Sequence, residues 1–464
     1  MIPLKDTTSL CPTCHETVPA TVYQVGAEIQ LHRECPQHGR FAAVINSDSR
    51  YYYLSQGAGR SDVSSRKSTT TLPILAMVST EPESASCCGG STAGDASACC
   101  GGVENLSTCV ALIEIVQSCN LSCPVCFADS PQKHAVDSLS FDEFCQRVSA
   151  VTQRKGKIDI LQLSGGEPTI HPEFFRLLEW ALANSEIGHV LLNTNGIKLT
   201  SDTFFASLSS LRQRYGKVEI YLQYDGPQAA GQVTLRGVDL RQVRATVIER
   251  CQTVGIPVNL AMTVDQHNRD FLGDALQVAL DHSWVTGITW QPMFGSGRVY
   301  SGFNQSETAE IQWPAVRRLN VADIIKGVVA QSRGRIREED FTPLPCGDPN
   351  CHTVGYLLRQ GDALIGLSAL INLPEVQGFL QDRLNYNVAD LQRCGCESEP
   401  LGQILRDLEL GPQQVLRLVI KPFMDAWTYD QHRIDRCCVH VVGPGGSLDS
   451  FCHHYAMASR PATV

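Results

Sequence analysis

Basic residues are outnumbered in this sequence, and long apolar runs are missing from it. The 464 residues include 38 lysines and arginines against 48 aspartates and glutamates, a formal net charge of −10. Such an acidic balance disfavours nonspecific binding to nucleic acid or to anionic lipid surfaces. The sequence contains no apolar run long enough to span a bilayer and no basic amphipathic helix of the membrane-surface type. We therefore expect no nucleic-acid partner and no transmembrane segment.

The first residues, MIPLKDTTSLCPTC, also lack the apolar core of a signal peptide, which predicts a cytoplasmic protein. What the sequence has in abundance is cysteine, with twenty residues. Disulfides would be disfavoured in a reducing cytoplasm, so the clustering of these cysteines favours metal ligation. Cys145 and Cys251 are exceptions, because each stands alone in a helical pattern and is predicted to be a core residue.

Residues 1–45 are predicted to form a small metal domain. Cys11 and Cys14 make a C-x-x-C pair, and Cys35 and His38 make a C-x-x-H pair. The alternating sequence between them, ATVYQV and EIQLHR, predicts a β-hairpin. Two ligand pairs on facing turns would bind zinc or a single iron in a tetrahedral site. An ordinary turn role for His38, with the fourth ligand elsewhere or absent, remains an alternative.

Residues 46–108 are predicted to be a linker with a cysteine-rich insertion. A polar stretch, RSDVSSRKSTTT, precedes the imperfect repeat SCCGGSTAGDASACCGG. Its vicinal pairs are Cys87–Cys88 and Cys99–Cys100, each followed by two glycines that would let the backbone wrap closely around an ion or cluster. A flexible insertion whose thiols bind nothing is the equally weighted alternative.

From residue 109 to residue 300 the pattern alternates between strands and helices. Strands are predicted at 110–116, 158–164, 189–194, 218–224, 257–264 and 287–293. Helices are predicted between them, the first one opened by a capping box at Ser140 and Glu143. Alternation of this kind implies an α/β fold with parallel pairing and right-handed crossovers. In such sheets the functional site lies at the carboxyl ends of the strands.

Three cysteines follow the first of these strands, at the position expected for a site. Cys119, Cys123 and Cys126 lie in the sequence CNLSCPVC, and no fourth cysteine is near. A structural zinc site or an ordinary cubane cluster needs four ligands, whereas three leave one iron open for a substrate or cofactor. The next strand ends in SGGEPT, where Gly165 and Gly166 free the backbone for close approach to a ligand.

These motifs resemble those of the radical S-adenosylmethionine (SAM) superfamily. CNLSCPVC is similar to its cluster loop, although Val125 replaces the usual aromatic residue, and GGEP is similar to its turn for the methionine amino group. The resemblance implies a partial (β/α)6 barrel with a 4Fe–4S cluster on the three cysteines and SAM chelating the open iron. It also implies a 5′-deoxyadenosyl radical and an electron donor such as a ferredoxin or flavodoxin.

The same resemblance suggests further cofactor-binding residues. Glu167 and Pro168 belong to the GGEP turn, and polar residues end the next two strands in NTNG and YLQYDG. Asn193, Asn195, Gln223 and Asp225 are candidates for ribose, adenine or substrate contacts. Ordinary turn chemistry at strand ends explains each of these four nearly as well. No catalytic residue is predicted.

From end to end, the order of motifs is similar to the tetraether lipid synthase group, whose relatives are also described as hydroxymethylpterin dimethyltransferases. That resemblance places Cys11, Cys14 and Cys35 at a mononuclear iron or zinc site. It implies one or more auxiliary 4Fe–4S clusters in a C-terminal domain, residues 301–464. The cysteines predicted to contribute are Cys346, Cys351, Cys437, Cys438 and Cys452. The CCGG insertion replaces a short cysteine loop of that group, which leaves the ligands of one cluster and the substrate open.

Three functions follow from these features. The first is a radical SAM enzyme that abstracts hydrogen from an unactivated carbon and forms a carbon–carbon bond, with a lipid chain as the substrate. The second is radical methylation of a pterin or another small molecule. The third is a non-catalytic iron–sulfur or metal carrier, which the GGEP turn disfavours because storage requires no SAM site.

Overall fold

The computed structural model describes residues 1–55, 108–132, 137–300, 303, 315–343, 348–360, 363–369 and 412–458. Most of the predicted linker lies outside the described residues, and with it the CCGG repeat. Cys346, Cys394 and Cys396 also lie outside them.

The N-terminal residues form an antiparallel sheet followed by a short helix. Its elements are β1 (Ile2–Leu10), β2 (Thr17–Val25), β3 (Glu28–Cys35), β4 (Gly39–Asn46) and α1 (Ser49–Ser55). Each strand pairs with the next one along the chain, so the predicted hairpin is confirmed as β2 and β3. Alternate residues such as Val22, Ile29 and Leu31 point to one face and are buried there against Tyr52.

Six parallel strands and their helices follow, in the order that the sequence predicts. They are β5 (Val110–Val116), α2 (Phe141–Lys155), β6 (Ile158–Gly165), α3 (Phe174–Ala183), β7 (Ile187–Thr194), α4 (Asp202–Tyr215), β8 (Val218–Gln223), α5 (Ala229–Arg236), α6 (Arg241–Val254), β9 (Val258–Val264), α7 (Leu272–Asp281) and β10 (Val285–Pro292). The strands pair in parallel in chain order. The α/β fold with a partial (β/α)6 barrel is therefore confirmed.

The start of α2 shows how local sequence sets these boundaries. Ser140 is the N-cap, and its hydroxyl accepts a hydrogen bond from the backbone N–H of Glu143 at 3.3 Å. The carboxylate of Glu143 instead pairs with Arg147 one turn later. The predicted capping box is thus present on its serine side, and the glutamate supports the helix through an ion pair.

The C-terminal part of the chain extends both edges of the barrel sheet. Its elements are β11 (Ala315–Val316), α8 (Val321–Gln331), β12 (Thr342–Pro343), β13 (Thr353–Gln360), β14 (Ala363–Gly366), β15 (Val415–Ile420), α9 (Gln431–Ile434), β16 (Val439–Val442), β17 (Leu448–Ser450) and α10 (Phe451–Ala458). Strand β15 pairs in parallel with β10, and β16 pairs in parallel with β5. The division at residue 300 stays a prediction, since the sheet itself continues across it.

The main apolar core lies between the sheet and the helices that cover its outer face. Fully buried examples are Phe144 on α2, Leu177 on α3, Leu208 on α4 and Trp290 on β10. Burial of one such side chain contributes roughly 1.5–3 kcal/mol. Cys251 is fully buried in this core and Cys145 packs against it, as the isolated cysteines were predicted to do. In the part of the chain that the structure describes, no helix has the length and apolar character needed to cross a membrane.

Candidate active site

The three-cysteine loop lies at the carboxyl end of β5, above the open interior of the barrel. Backbone hydrogen bonds fix it at both ends. Cys119 N–H donates to Pro131 O at 3.0 Å, and Cys126 exchanges two backbone bonds with Arg298, at 3.0 and 2.9 Å. The Arg298 guanidinium also donates to Cys123 O at 3.2 Å. The loop is therefore held in one conformation by protein contacts.

The thiols of this loop line a common cavity. Cys123 is buried, while Cys119 and Cys126 are partly accessible from the cavity. Burial raises the pKa of Cys119 to about 12 and also raises that of Cys123. Of the described cysteines, only these three line the cavity. A donor set of three thiols fits a 4Fe–4S cluster with one iron left open, and binding would release the thiol protons.

The GGEP turn at the end of β6 packs directly on the backbone of the cysteine loop. A Cβ atom at Gly166 would lie 2.0 Å from Ser118 O, and one at Gly165 would lie 2.1 Å from Val116 O. Gly165 also has a φ of +124°, which side chains rarely adopt. The glycines were predicted to admit a ligand, and the close approach that the structure shows is to the cysteine loop itself.

Glu167 joins this turn to the end of β7. It is buried, and its carboxylate accepts hydrogen bonds from Thr169 N at 3.2 Å and from the Thr169 hydroxyl at 2.6 Å. It also accepts from the Thr194 hydroxyl and from Asn195 N, both at 2.7 Å. Burial raises the pKa of Glu167, and these hydrogen bonds oppose the rise. Pro168 is buried at the start of the following 3-10 turn. Of the two, only Glu167 lines the cavity.

Three of the predicted polar residues face the cavity from β7 and β8. The Asn193 amide donates to the Ser164 hydroxyl at 3.1 Å, and the Asn195 amide donates to Asn120 Oδ1 at 2.6 Å. The Gln223 amide oxygen, oriented to satisfy its surroundings, accepts from Arg236 at 2.8 Å. All three line the same cavity as the thiols, and they stay candidates for SAM or substrate contacts.

Asp225 is held differently, in a buried ion pair that sequence reasoning did not find. Its carboxylate accepts from Arg236 Nε at 2.6 Å and from Nη2 at 2.8 Å, and neither side chain is more than 5% exposed. The same guanidinium donates to Val125 O at 3.1 Å, within the cysteine loop. Asp225 therefore acts on the loop through Arg236. Arg236 belongs to α5, a helix absent from the sequence prediction.

Replacement of Asp225 by alanine is expected to lower the free energy of unfolding by about 3–5 kcal/mol, because it leaves the Arg236 charge buried and unpaired. Urea unfolding of the isolated protein measures this loss. The matched control is Asp202→Ala, which breaks the pair between an exposed carboxylate and Arg250. That change should leave the unfolding midpoint in place. Equal midpoints for the two variants would contradict the role given to the buried pair.

The four predicted ligands of the N-terminal domain converge on one point. One ligand atom from each of Cys11, Cys14, Cys35 and His38 lies within 4.8 Å of the other three. His38 Nδ1 is 3.7 Å from the Cys11 sulfur and 3.5 Å from the Cys35 sulfur. The contact with His38 lowers the pKa of Cys35 to about 6, which favours the thiolate form. Three sulfurs and one nitrogen fit tetrahedral zinc or iron.

This metal domain contacts the C-terminal cysteine segment. Lys5 Nζ lies 2.7 Å from a carboxylate oxygen of Asp430, which is the N-cap of α9. The His15 ring lies 3.1 Å from Ala456 O on α10, and Arg33 donates to Ala426 O at 3.0 Å. Order in the metal domain is thus coupled to the position of α9 and α10.

Cys35→Ser is expected to remove one metal ion per chain, since a closed tetrahedral site tolerates the loss of a ligand poorly. Because the domain supports α9 and α10, we also expect a lower melting temperature. Metal analysis and thermal unfolding of the purified chain measure the two effects. Cys145→Ser serves as the control, because Cys145 lies on α2 and is not one of the predicted metal ligands. Unchanged metal content in Cys35→Ser would show that this site does not exist as described.

Further cysteines lie together where the C-terminal strands approach the barrel. Cys437, Cys438 and Cys452 are buried in one apolar cluster with Cys109. Burial raises the pKa of Cys452 to about 12, and the neighbouring Cys437 and Cys351 add to the rise. The Arg433 guanidinium lies 3.5 Å from the Cys351 sulfur. The auxiliary cluster predicted here stays a prediction, and Cys346 is outside the described residues.

The cavity contains about 1820 Å³ of empty space, including its opening to solvent. Polar side chains project into it from the barrel strands: Gln162, Asn193, Tyr221, Gln223, Asn259, Thr289 and Gln291. Aromatic rings form another part of the wall: Phe127, Phe294, Phe423 and Phe451. The cavity therefore combines a hydrogen-bonding surface with an apolar one beside the three thiols.

Two segments of this chain match known protein families. Residues 3–47 match the HMPTM N-terminal zinc ribbon domain, and residues 113–277 match the radical SAM superfamily. The 7,8-dihydro-6-hydroxymethylpterin dimethyltransferase of Methanocaldococcus jannaschii is 26% identical over 509 residues, covering 97% of this chain and 92% of that protein. The GTP 3′,8-cyclase of Actinobacillus succinogenes is 28% identical over 166 residues, covering 34% of this chain and 46% of that enzyme.

A solved structure, native anSMEcpe with bound AdoMet and a Cp18Cys peptide, is 18% identical with a TM-score of 0.35, over 48% of this chain and 58% of that one. The family match spans β5 to α7, the part of the chain that holds the three-cysteine loop and the GGEP turn. The chain therefore contains a radical SAM domain behind an N-terminal zinc ribbon, and it is a radical SAM enzyme.

Proposed function

We propose that this enzyme methylates a carbon atom of a polar heteroaromatic small molecule of the pterin class. The observation that supports this substrate is the set of amide, hydroxyl and phenol groups on the cavity wall. Some of these groups bond one another, as Thr289 does with Asn259 and Gln291 with Tyr221. A lipid chain packed against the set would leave its remaining donors and acceptors without partners, at a cost of about 1–3 kcal/mol each. A pterin offers ring nitrogens and oxygens as partners and flat faces for the aromatic wall.

A relative similar over nearly the whole chain supports the same proposal. It is named for dimethyl transfer to 7,8-dihydro-6-hydroxymethylpterin, and it aligns with 97% of this chain. The similarity thus extends well beyond the segments that match the zinc ribbon and the radical SAM domain.

The residues that would serve the reaction have separate tasks. Cys119, Cys123 and Cys126 would hold the 4Fe–4S cluster, and the backbone near Gly165 would receive the methionine end of SAM. When bound, the cluster and SAM supply a carbon radical that removes a hydrogen atom from the substrate. Asn193 and Gln223 would orient the bound molecules through their amides. The aromatic wall would exclude water from the reacting carbon.

The proposal also includes an electron donor, an auxiliary cluster and a structural metal. A ferredoxin or flavodoxin would deliver the electron, and the C-terminal cysteines would hold at least one auxiliary 4Fe–4S cluster. The zinc ribbon would hold its metal as a structural site. We place the enzyme in the cytoplasm, where reducing conditions suit free thiols and iron–sulfur clusters.

Formation of a carbon–carbon bond on a lipid chain is the second candidate. The aromatic part of the wall favours it, because Phe127, Phe294, Phe423 and Phe451 present a continuous apolar surface, with centroid distances of 6.2 Å for Phe127–Phe294 and 4.3 Å for Phe423–Phe451. The two candidates predict different products from the same enzyme.

One assay separates them. The anaerobically reconstituted enzyme is incubated with SAM, a strong reductant and either 7,8-dihydro-6-hydroxymethylpterin or an archaeal diether phospholipid, and the products are analysed by mass spectrometry. We expect a methylated pterin in which a methyl group from a second SAM molecule replaces the abstracted hydrogen, with the reductant supplying the electrons, and SAM labelled in its methyl group traces the added carbon. A coupled lipid lacking two hydrogens, with an unchanged pterin, would overturn the proposal in favour of the second candidate.

A further inference from the structure

One lysine on the cavity wall differs from the other cations there. Lys421 follows β15, and its backbone N–H donates to Trp290 O at 3.0 Å, which fixes its place beside β10. Its side chain lines the cavity, with Nζ 4.8 Å from the centroid of the Phe423 ring and 5.9 Å from that of Phe451. Its described contacts thus place the ammonium group over aromatic rings at the cavity surface.

The other cations of the wall are paired with carboxylates. The pairs are Arg236 with Asp225, Arg298 with Asp129, and Arg417 with Glu219. Among the described residues, Lys421 has neither a carboxylate within ion-pair distance nor a side-chain hydrogen bond. A cation in a largely apolar wall is stabilised by an anionic partner. The cavity is the space from which such a partner could come.

His352 lies next to this lysine, because the adjoining residues Thr353 and Ile420 pair across β13 and β15. Its side chain also lacks a hydrogen-bond partner at either ring nitrogen among the described residues. It is 7% exposed and lines the same cavity. A neutral imidazole offers one N–H donor and one acceptor. Two polar groups without partners therefore face one part of the cavity.

The C-terminal cysteines are the competing reason for a cation here, because their thiolates would attract Lys421. Cys351 has another cation in direct contact with it, whereas Cys437 interacts electrostatically with Lys421. The Arg433 guanidinium is buried, and one of its nitrogens lies 3.5 Å from the Cys351 sulfur. Arg433 does not line the main cavity, whereas Lys421 and His352 do. The lysine therefore faces a molecule in the cavity on one side and the C-terminal cysteines on the other, and the iron content of its variants separates the two roles.

We propose that Lys421 and His352 form a subsite that binds an anionic oxygen group of the substrate, either a phosphate or a carboxylate. This inference rests on the proposed function, because it takes the molecule bound in the cavity to be the substrate. It adds that this substrate carries an anionic group. The ammonium group supplies charge and three donors, and the imidazole N–H supplies one further donor. Phe423 and Phe451 would shield these contacts from water and so strengthen them.

Calorimetric titration of the anaerobically reconstituted full chain tests the subsite, without SAM or reductant. The probes are inorganic phosphate, acetate and the short-chain lipid dihexanoyl phosphatidylglycerol, which separate a free phosphate, a carboxylate and a lipid head group. We expect at least one probe to bind the unmodified chain. Lys421→Met should weaken that binding about tenfold or more, as loss of a charge-assisted hydrogen bond does. Lys421→Arg should retain it within a few fold.

Two controls make the result decisive. Lys157→Met removes an exposed lysine on the outer surface and should bind the probe as the unmodified chain does. Iron and sulfide are counted in every variant. The proposal is overturned if no probe binds, if Lys421→Met binds equally well, or if Lys421→Met loses iron, since the lysine would then serve the cysteines. Because no SAM chemistry is involved, a failed methylation assay leaves this result intact, and the reverse also holds.

Discussion

Cys123→Ala is expected to abolish the formation of 5′-deoxyadenosine from SAM, and Cys119→Ala and Cys126→Ala should do the same. Each change removes one of the three protein ligands of the proposed cluster, and the described cavity offers no other cysteine as a replacement. Cys123 is the sharpest test of the three. Its thiol is buried, and its loop is held by backbone bonds that do not involve the side chain. The loss should therefore be chemical rather than a failure to fold.

The matched control is Cys145→Ala on α2, a partly buried cysteine packed against the core and outside the cavity. It should retain iron, sulfide and SAM cleavage. Circular dichroism and melting temperatures of both variants verify that each is folded. If Cys123→Ala still cleaved SAM at a rate close to that of the unmodified enzyme, the three-cysteine loop would not be the cluster site.

Gly166→Ala is expected to produce the second large loss. The new methyl carbon would lie 2.0 Å from Ser118 O, a backbone atom in the cysteine loop. Glu167 N–H donates a hydrogen bond to the same oxygen at 3.0 Å. The GGEP turn would have to move away from the cysteine loop to make room for the methyl group, and that movement would break this bond. A displacement of about 1 Å costs on the order of a hundredfold in rate. We expect a loss of that size in SAM cleavage, measured as 5′-deoxyadenosine per reconstituted cluster.

Gly216→Ala is the control for the backbone cost of replacing a glycine. Gly216 has a φ of +74°, and a Cβ atom there would meet nothing within 4 Å. That variant incurs a conformational cost of about 1 kcal/mol without a clash. It should therefore cleave SAM normally. Equal activity in Gly166→Ala would show that the turn can move away from the loop without consequence for the site.

The barrel could be predicted because its strands have a simple signature. Parallel strands covered on both faces are almost continuously apolar, as VALIEIV is in β5, and they alternate with amphipathic helices. The three-cysteine loop and the GGEP turn then follow from their places at strand ends. The helix α5 was missed because AAGQVTLR is short and contains glycine and β-branched residues that disfavour helices. Its role is set by packing against the cysteine loop.

Residues that act through long-range contacts could not be predicted. Arg236 meets Asp225 only when α5 folds back under the loop, and Lys421 joins the cavity only because β15 pairs with β10. The C-terminal strands also have irregular spacing, so their addition to both edges of the sheet left no periodic signal. The four ligands of the zinc ribbon, by contrast, form two local pairs, and short-range spacing was sufficient to identify them.

Reductive cleavage of SAM tests the central claim most directly. The protein is purified and reconstituted without oxygen, its iron, sulfide and zinc are counted, and SAM and dithionite are added. The account predicts 5′-deoxyadenosine and methionine from the unmodified chain. It predicts neither product from the triple variant Cys119→Ala/Cys123→Ala/Cys126→Ala, which should still retain iron and sulfide in its C-terminal cysteines. An intact cluster on the three cysteines that binds SAM but yields no 5′-deoxyadenosine would contradict the account.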